Sequence, residues 1–392
     1  MDVHARFIRD RRVPVGIARR LAGLGHAGIL RVRAAAGDEG CAQVLAEHDP
    51  DDAALDRFTD AGWLPVLRAR AAALHGRGRT GEALALLTPW VDDHRVAREV
   101  AALLGAQGRV EEVFALLVPR LGEAGVAAAL FEVAAAAGRG GEAFAVLEPL
   151  AGGSAHVAGV VAAELERRDA VDEAVAVLRP HAPYVLDQAG RLLHRHGRAG
   201  DLRDWAADVA CRGYRDGRLT MWLAEVLERQ GDVEGAADVL KPFDGVPLAQ
   251  LYSRNGRIEE AVAILTELAT RGDDPECALH ALGGIAPDAA LALLEDTHDV
   301  DLLMIRVELL VERGRVPEAV AALRACPDHD LPSVRARLGE LLAGQGREDE
   351  AIAALSDPSG LAPATLLAEL LLRRGQVQDA LDVLDRYHNR RR

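Results

Sequence analysis

One short motif recurs along this 392-residue chain, and its recurrence limits the folds open to it. The motif is a corner, Gly78-Arg79-Thr80-Gly81-Glu82-Ala83, followed by an apolar run and Pro89. It returns as GRVEEV at 108–113, GRGGEA at 138–143, GRIEEA at 256–261, GRVPEA at 314–319 and GREDEA at 346–351. Looser copies begin at Gly37, Asp169, Gly197, Gly231, Gly284 and Gly375. From Gly78 onward the corners fall 30, 30, 31, 28, 34, 25, 28, 30, 32 and 29 residues apart. A period of that size is too short for a domain and suits a supersecondary unit that stacks on its neighbours.

Each unit reads as two helices. Before a corner, apolar or small residues recur at helical spacing, as in Ala97, Val100, Ala101 and Leu104, which gives one apolar face. The corner glycine ends that helix in the left-handed conformation, and the arginine after it is placed to meet the helix's last carbonyls. A second helix then opens with a glutamate in its first turn and carries Ala-x-x-x-Leu pairs such as Ala83/Leu87, Ala143/Leu147 and Ala319/Leu323. Pro89, Pro119, Pro149, Pro180 and Pro242 close it early. The expected fold class is all-α, a solenoid of stacked antiparallel helix pairs.

This pattern resembles the tetratricopeptide repeat family over roughly residues 55–388. The family's small first-helix position falls on Ala71, Ala101, Ala162, Gly190, Ala224, Ala249, Gly339 and Ala368. Its larger apolar position falls on Leu74, Leu104, Leu165, Leu193, Leu227, Tyr252, Leu310, Leu342 and Leu371. Phe131, Cys277 and Val307 replace the small residue, His280 breaks the larger column, and the period is near 30 residues, short for the family. The resemblance implies a right-handed α-solenoid with a concave face for partners. At about 10 Å per stacked pair, a dozen units extend to a curved rod on the order of 100 Å long.

Charge divides the chain unevenly. Eight arginines face Asp2 and Asp10 in the first 35 residues, a net +6, while the whole chain is −15 and the remainder therefore −21. Residues 1–36 read as a basic helical N-terminal cap, and 37–392 as one continuous solenoid with an irregular insertion at 48–62 and an irregular middle at 184–252. An acidic body argues against a nucleic-acid backbone as partner. Apolar runs are interrupted before membrane-spanning length, as Glu132 interrupts GVAAALFEVAAAAG, and no secretion signal is visible, so a soluble, cytoplasmic protein is expected. Cys41, Cys211, Cys277 and Cys326 stand far apart, without disulfide or zinc spacing.

Sites of chemistry are scarce. Gly23-x-Gly25-x-x-Gly28 matches a dinucleotide fingerprint by letter, but a helical IARRLA precedes it where the fingerprint needs a strand. Lys241 is the one lysine, and none of the five serines lies in Gly-x-Ser-x-Gly. His194 and His196 point about 200° apart on a helix and cannot share a metal ion. Cys326-Pro-Asp-His329 reads as a buried thiol and a loop histidine. No catalytic residue, cofactor site or metal site is expected.

What remains is surface. The resemblance places Tyr184, Asp187, Arg191, His194, Glu225, Glu228, Glu308, Glu340 and Glu369 on the concave face, together with Arg68, Arg95 and Arg98 early in the chain. Glu225, Glu308, Glu340 and Glu369 form an acidic column suited to a basic or arginine-bearing protein segment. Residues 184–252 also hold six of the fourteen aromatics, Tyr184, Trp205, Tyr214, Trp222, Phe243 and Tyr252, as core filling or as a recognition patch. The functional expectation is a non-catalytic scaffold that binds a protein or peptide along its concave face. The alternatives are a peptide-sensing regulatory module acting through a partner protein and, in a different class, an α-helical repeat enzyme.

Overall fold

The computed structural model describes residues 13–182, 184–211, 217–243, 245–271, 275–356, 358 and 360–389. The first twelve residues of the basic cap, and Tyr214 of the central aromatic group, lie outside the described residues. Every regular element among the described residues is helical. In chain order these are α1 (Val15–Gly23), α2 (Ala27–Ala35), α3 (Glu39–His48), α4 (Asp56–Asp60), α5 (Leu64–Gly76), α6 (Thr80–Leu87), α7 (His94–Ala106), α8 (Val110–Leu117), α9 (Val126–Ala136) and α10 (Gly140–Leu147). There follow α11 (Ala155–Arg167), α12 (Val171–Leu178), α13 (Leu186–Arg195), α14 (Ala199–Cys211), α15 (Gly217–Arg229), α16 (Val233–Leu240), α17 (Val246–Arg254) and α18 (Ile258–Arg271). The last are α19 (Pro275–Ile285), α20 (Pro287–Leu293), α21 (Val300–Glu312), α22 (Val316–Ala325), α23 (Pro332–Gly344), α24 (Glu348–Ala354), α25 (Leu361–Arg373) and α26 (Val377–Asn389). They form antiparallel hairpins, an α-solenoid architecture.

The corners follow from backbone chemistry. Gly78 takes φ 77°; its N–H donates to the His75 carbonyl at 2.9 Å, and the Arg79 N–H reaches back to the Leu74 carbonyl at 2.9 Å. This pair of bonds satisfies carbonyls that the helix end leaves open, and it requires a left-handed residue that glycine supplies without strain. The same pair recurs at Gly108, Gly138, Gly256, Gly314, Gly346 and Gly375, and at Asp169 with φ 62°. The acceptor of the longer bond is the large apolar column of the sequence, Leu74, Leu104, Leu165, Leu193, Leu227, Tyr252, Leu310, Leu342 and Leu371, all buried.

Two details of the corner differ from expectation. The arginine lies at the helix C-terminus, and its side chain takes a partner that the sequence reading did not name. It is the residue just before the second helix, three positions ahead of that helix's glutamate, so its guanidinium forks the carboxylate: Arg79 Nε to Glu82 Oε1 at 2.7 Å, and likewise Arg109 with Glu112, Arg139 with Glu142, Arg257 with Glu260, Arg315 with Glu318 and Arg347 with Glu350. These pairs are exposed to water, which screens them, so they add little to stability. The second difference is Gly284, which forms no corner: α19 runs through it to Ile285, and the break comes at Ala286-Pro287. In keeping with that, Cys277 and His280, which spoil the repeat columns, are both exposed.

The prolines act as read. Second helices α6, α8, α10 and α12 end on Leu87, Leu117, Leu147 and Leu178, all fully buried, and a 3-10 turn containing the proline follows each. Burying each such leucine contributes about 2–3 kcal/mol of transfer free energy. The first helices stack on one another, α9 on α7, α11 on α9 and α15 on α13. Small residues set that approach: a Cβ on Gly190 would lie 1.9 Å from the Trp222 ring, and one on Gly105 2.3 Å from Val133. Trp205 and Tyr252 are core residues, 2% and 8% exposed, Trp222 is half-buried over Gly190, and Tyr184 stands in water. Phe243 is exposed as well, so the described aromatic group is split between core filling and surface.

The chain divides into two compact units, residues 1–91 with 293–392, and residues 92–292. In the first, Ala34, Leu45, Leu55, Phe58, Trp63 and Val66 share a core beneath the insertion, which contains the 3-10 turn Ala53–Leu55 and α4. The fingerprint glycines are a corner here, with Gly25 at φ 85° between α1 and α2. Within this unit Arg33 of α2 is hydrogen-bonded to Asp385 of α26.

Candidate interaction groove

In the second unit, α9, α11 and the start of α13 lie side by side and leave a groove of about 720 Å³. Its floor is made of small side chains, Ala127, Ala128, Ala155, Gly159, Val160 and Ala163. The reason is close packing: Gln188 Nε2 donates to the Gly159 carbonyl at 2.5 Å, and a Cβ on Gly159 would meet Gln188 Oε1 at 2.5 Å. Phe131 closes one wall, with the Arg167 guanidinium 4.9 Å from its ring centroid. Tyr184 forms the opposite lip, 83% exposed. Glu132, His156 and Asp187 supply the polar rim.

Of the nine residues expected on the partner face, six fall in this unit, and four of them, Asp187, His194, Glu225 and Glu228, make contacts across helices. Tyr184 and Asp187 line the groove. Asp187 pairs with Arg191 one turn on and lies 3.7 Å from Arg218 of α15. His194 Nε2 stands 2.8 Å from Glu225 Oε2, joining α13 to α15. Glu228 accepts from Arg254 Nη2 at 2.8 Å and from Asn255 Nδ2 at 2.7 Å, and only 18% of its side chain is exposed. The Arg254 hydrogen bond, aided by Asn255, holds the Glu228 carboxyl below the usual carboxylate range despite its burial.

The other three belong to the first unit and sit on successive first helices. Glu308 of α21 is exposed without an ion-pair partner among the described residues. Glu340 of α23 pairs with Arg337 at 3.0 Å. Glu369 of α25 is half-buried and likewise without an ion pair among the described residues.

His194 and His196 face different carboxylates, Glu225 and Glu166, the second at 3.1 Å. Cys326 is buried, and its carbonyl lies 3.2 Å from His329 Nδ1. Among the described residues no group of three or more His, Cys, Asp and Glu side chains is arranged to hold a metal ion. None of the described helices is long and apolar enough to cross a membrane.

Reading the sequence for charged and aromatic groove residues missed the floor itself. Phe131 stood out only as a replacement in the small-residue column, and Gly159, Val160 and Gln188 drew no reading; the available signal was the glycine inside α11, a residue that a helix interior disfavours unless something approaches closely.

The profile of the tetratricopeptide repeat family matches residues 64–87, 217–242, 302–325, 332–356 and 361–386. These five segments are tetratricopeptide repeats. The matched segments are the hairpins α5–α6, α15–α16, α21–α22, α23–α24 and α25–α26, so the hairpins flooring the groove lie between matched tetratricopeptide units. No curated protein sequence matches the chain. Among solved structures it is similar to Naa15/Naa10 bound to HypK-THB, at 13% identity and a TM-score of 0.43, covering 93% of this chain and 72% of that one. It is also similar to the APC/C hetero-tetramer Cut9-Hcn1, at 14% identity and a TM-score of 0.25, covering 94% and 85%. At those scores neither likeness bears on what this chain binds.

Proposed function

We propose that this tetratricopeptide-repeat protein is a non-catalytic scaffold that receives a segment of another protein on its first-helix face, with the α9–α11–α13 groove as the anchor. The carrying observation is Tyr184, a large aromatic left 83% exposed beside an apolar floor. A rigid aromatic next to a small-residue trough offers contact area at low entropic cost. Arg191, His194, Glu225 and Glu228 flank it as a polar border. In the first unit, Glu308, Glu340 and Glu369 provide carboxylates for a basic stretch of partner, since guanidinium groups fork with carboxylates. The acidic body favours a protein partner over nucleic acid, and Cys41 and Cys326, buried and outside any disulfide among the described residues, fit a reducing cytoplasm.

Co-purification of the full chain with Ala163→Arg and Tyr184→Ala, both at exposed positions, tests the anchor. The expected result is loss of the co-purifying protein with wild-type thermal stability retained; an unchanged set of captured proteins ends the reading. A peptide-sensing role is distinguished by a peptide that raises the melting temperature, and an enzymatic one by turnover without a partner.

A further inference from the structure

The contact between α2 and α26 joins residues 352 positions apart. Arg33 Nη1 donates to Asp385 Oδ1 at 2.6 Å and Nη2 to Oδ2 at 2.7 Å, a two-pronged fork. The side chains keep 17% and 31% of their exposure, so the pair is partly withdrawn from water, where a charge-assisted bond is stronger. Alongside it, α1 packs on α25. The last helix needs such cover: α26 buries Ala380, Leu381, Val383, Leu384 and Tyr387, an arc of roughly 160° at 3.6 residues per turn, wider than one neighbouring helix covers.

The other paired arginines of the described cap stay local. Arg19 pairs with Glu47, and Arg31 with Asp49 and Asp52. Arg33 reaches the far end of the chain. Here an element from the beginning of the sequence lies against the last hairpin.

We propose that the N-terminal cap is a clamp on the final hairpin, with Arg33 and Asp385 as its ionic pin, so that the order of α25–α26 is set by α1–α2. The clamp couples two places. Glu369 lies on α25, so a cationic segment that binds there and shifts α25 is felt at the cap. The clamp itself does not depend on the groove reading, since it involves none of the groove residues.

Hydrogen exchange of the full chain, read by mass spectrometry in Arg33→Gln, Asp385→Asn and the double variant, tests this. Each single substitution is expected to speed exchange about tenfold in both terminal segments, 15–35 and 377–389, as loss of one charge-assisted pair would do. The double variant is expected to match the singles, because both remove the same interaction. Acceleration confined to the segment carrying the substitution, or effects that multiply in the double variant, overturns the clamp. Wild-type protein compared at 0.1 M and 1 M NaCl serves if a variant fails to fold. Salt should then speed both segments together, and no coupled change overturns the proposal.

Discussion

The first helices of the two units use their polar residues differently. In residues 92–292, Asp187, His194, Glu225 and Glu228 are engaged across helices with Arg218, Arg254 and each other, and the open feature is a shape, the small-residue groove beside Tyr184. In residues 293–392, Glu308 and Glu369 lack ion-pair partners among the described residues, and the open feature is charge. The same scaffold position can hold a neighbouring helix in place or face a partner. Which role it takes depends on whether a cation lies on the next first helix, as Arg254 does for Glu228.

The largest effect that would break this comparison is at the helix crossings. Gly190→Ala puts a methyl 1.9 Å from a rigid indole, and a loss of about 3 kcal/mol in denaturant unfolding is expected. In the other unit, Gly339→Ala meets Leu355 at 2.7 Å, where a leucine rotamer can yield, and about 1–2 kcal/mol is expected. Equal losses at the two sites would show that close packing does not distinguish the units.

Smaller effects sharpen the contrast in charge. Glu228→Gln is expected to cost about 1 kcal/mol at neutral pH. Because the folded carboxyl titrates below its unfolded value of about 4.3, its contribution is fully present above that pH and is lost as pH falls through the lower folded value. The difference between variant and wild type should therefore shrink below about pH 4, and a pH-independent difference would show that the ion pair is not its source. Asp169→Gly relieves a non-glycine residue at φ 62° and is expected to stabilise by up to about 1 kcal/mol. Glu308→Gln should stay within about 0.5 kcal/mol of wild type in unfolding. If Glu308, Glu340 and Glu369 receive a basic segment, replacing all three by arginine should abolish partner capture without lowering stability.

The repeat was legible because its signal is local. A left-handed corner needs Gly78 or its equivalents within a few residues of the apolar column, so the letters and the geometry stay in register. Gly284 shows where that reasoning fails, since a glycine in the last turn of α19 has the same letter as a corner and none of its conformation. The arginine–glutamate forks were not read from the sequence because the side chain can reach either helix end, and the backbone path decides between them. The groove floor was illegible for a different cause: alanines and glycines read as packing, and nothing in their identity says whether a helix or water lies above them.

Hydrophobic period, corner glycines and early prolines were enough to specify helical hairpins, their length and the face each one buries. Those features act over one or two helical turns, where chain connectivity keeps the interacting groups together. Packing settled which faces stayed open, which glutamates found an arginine, and that Arg33 meets Asp385. Such contacts join residues from tens to hundreds of positions apart, and their occurrence depends on summed angles between stacked helices that no short stretch of chain encodes.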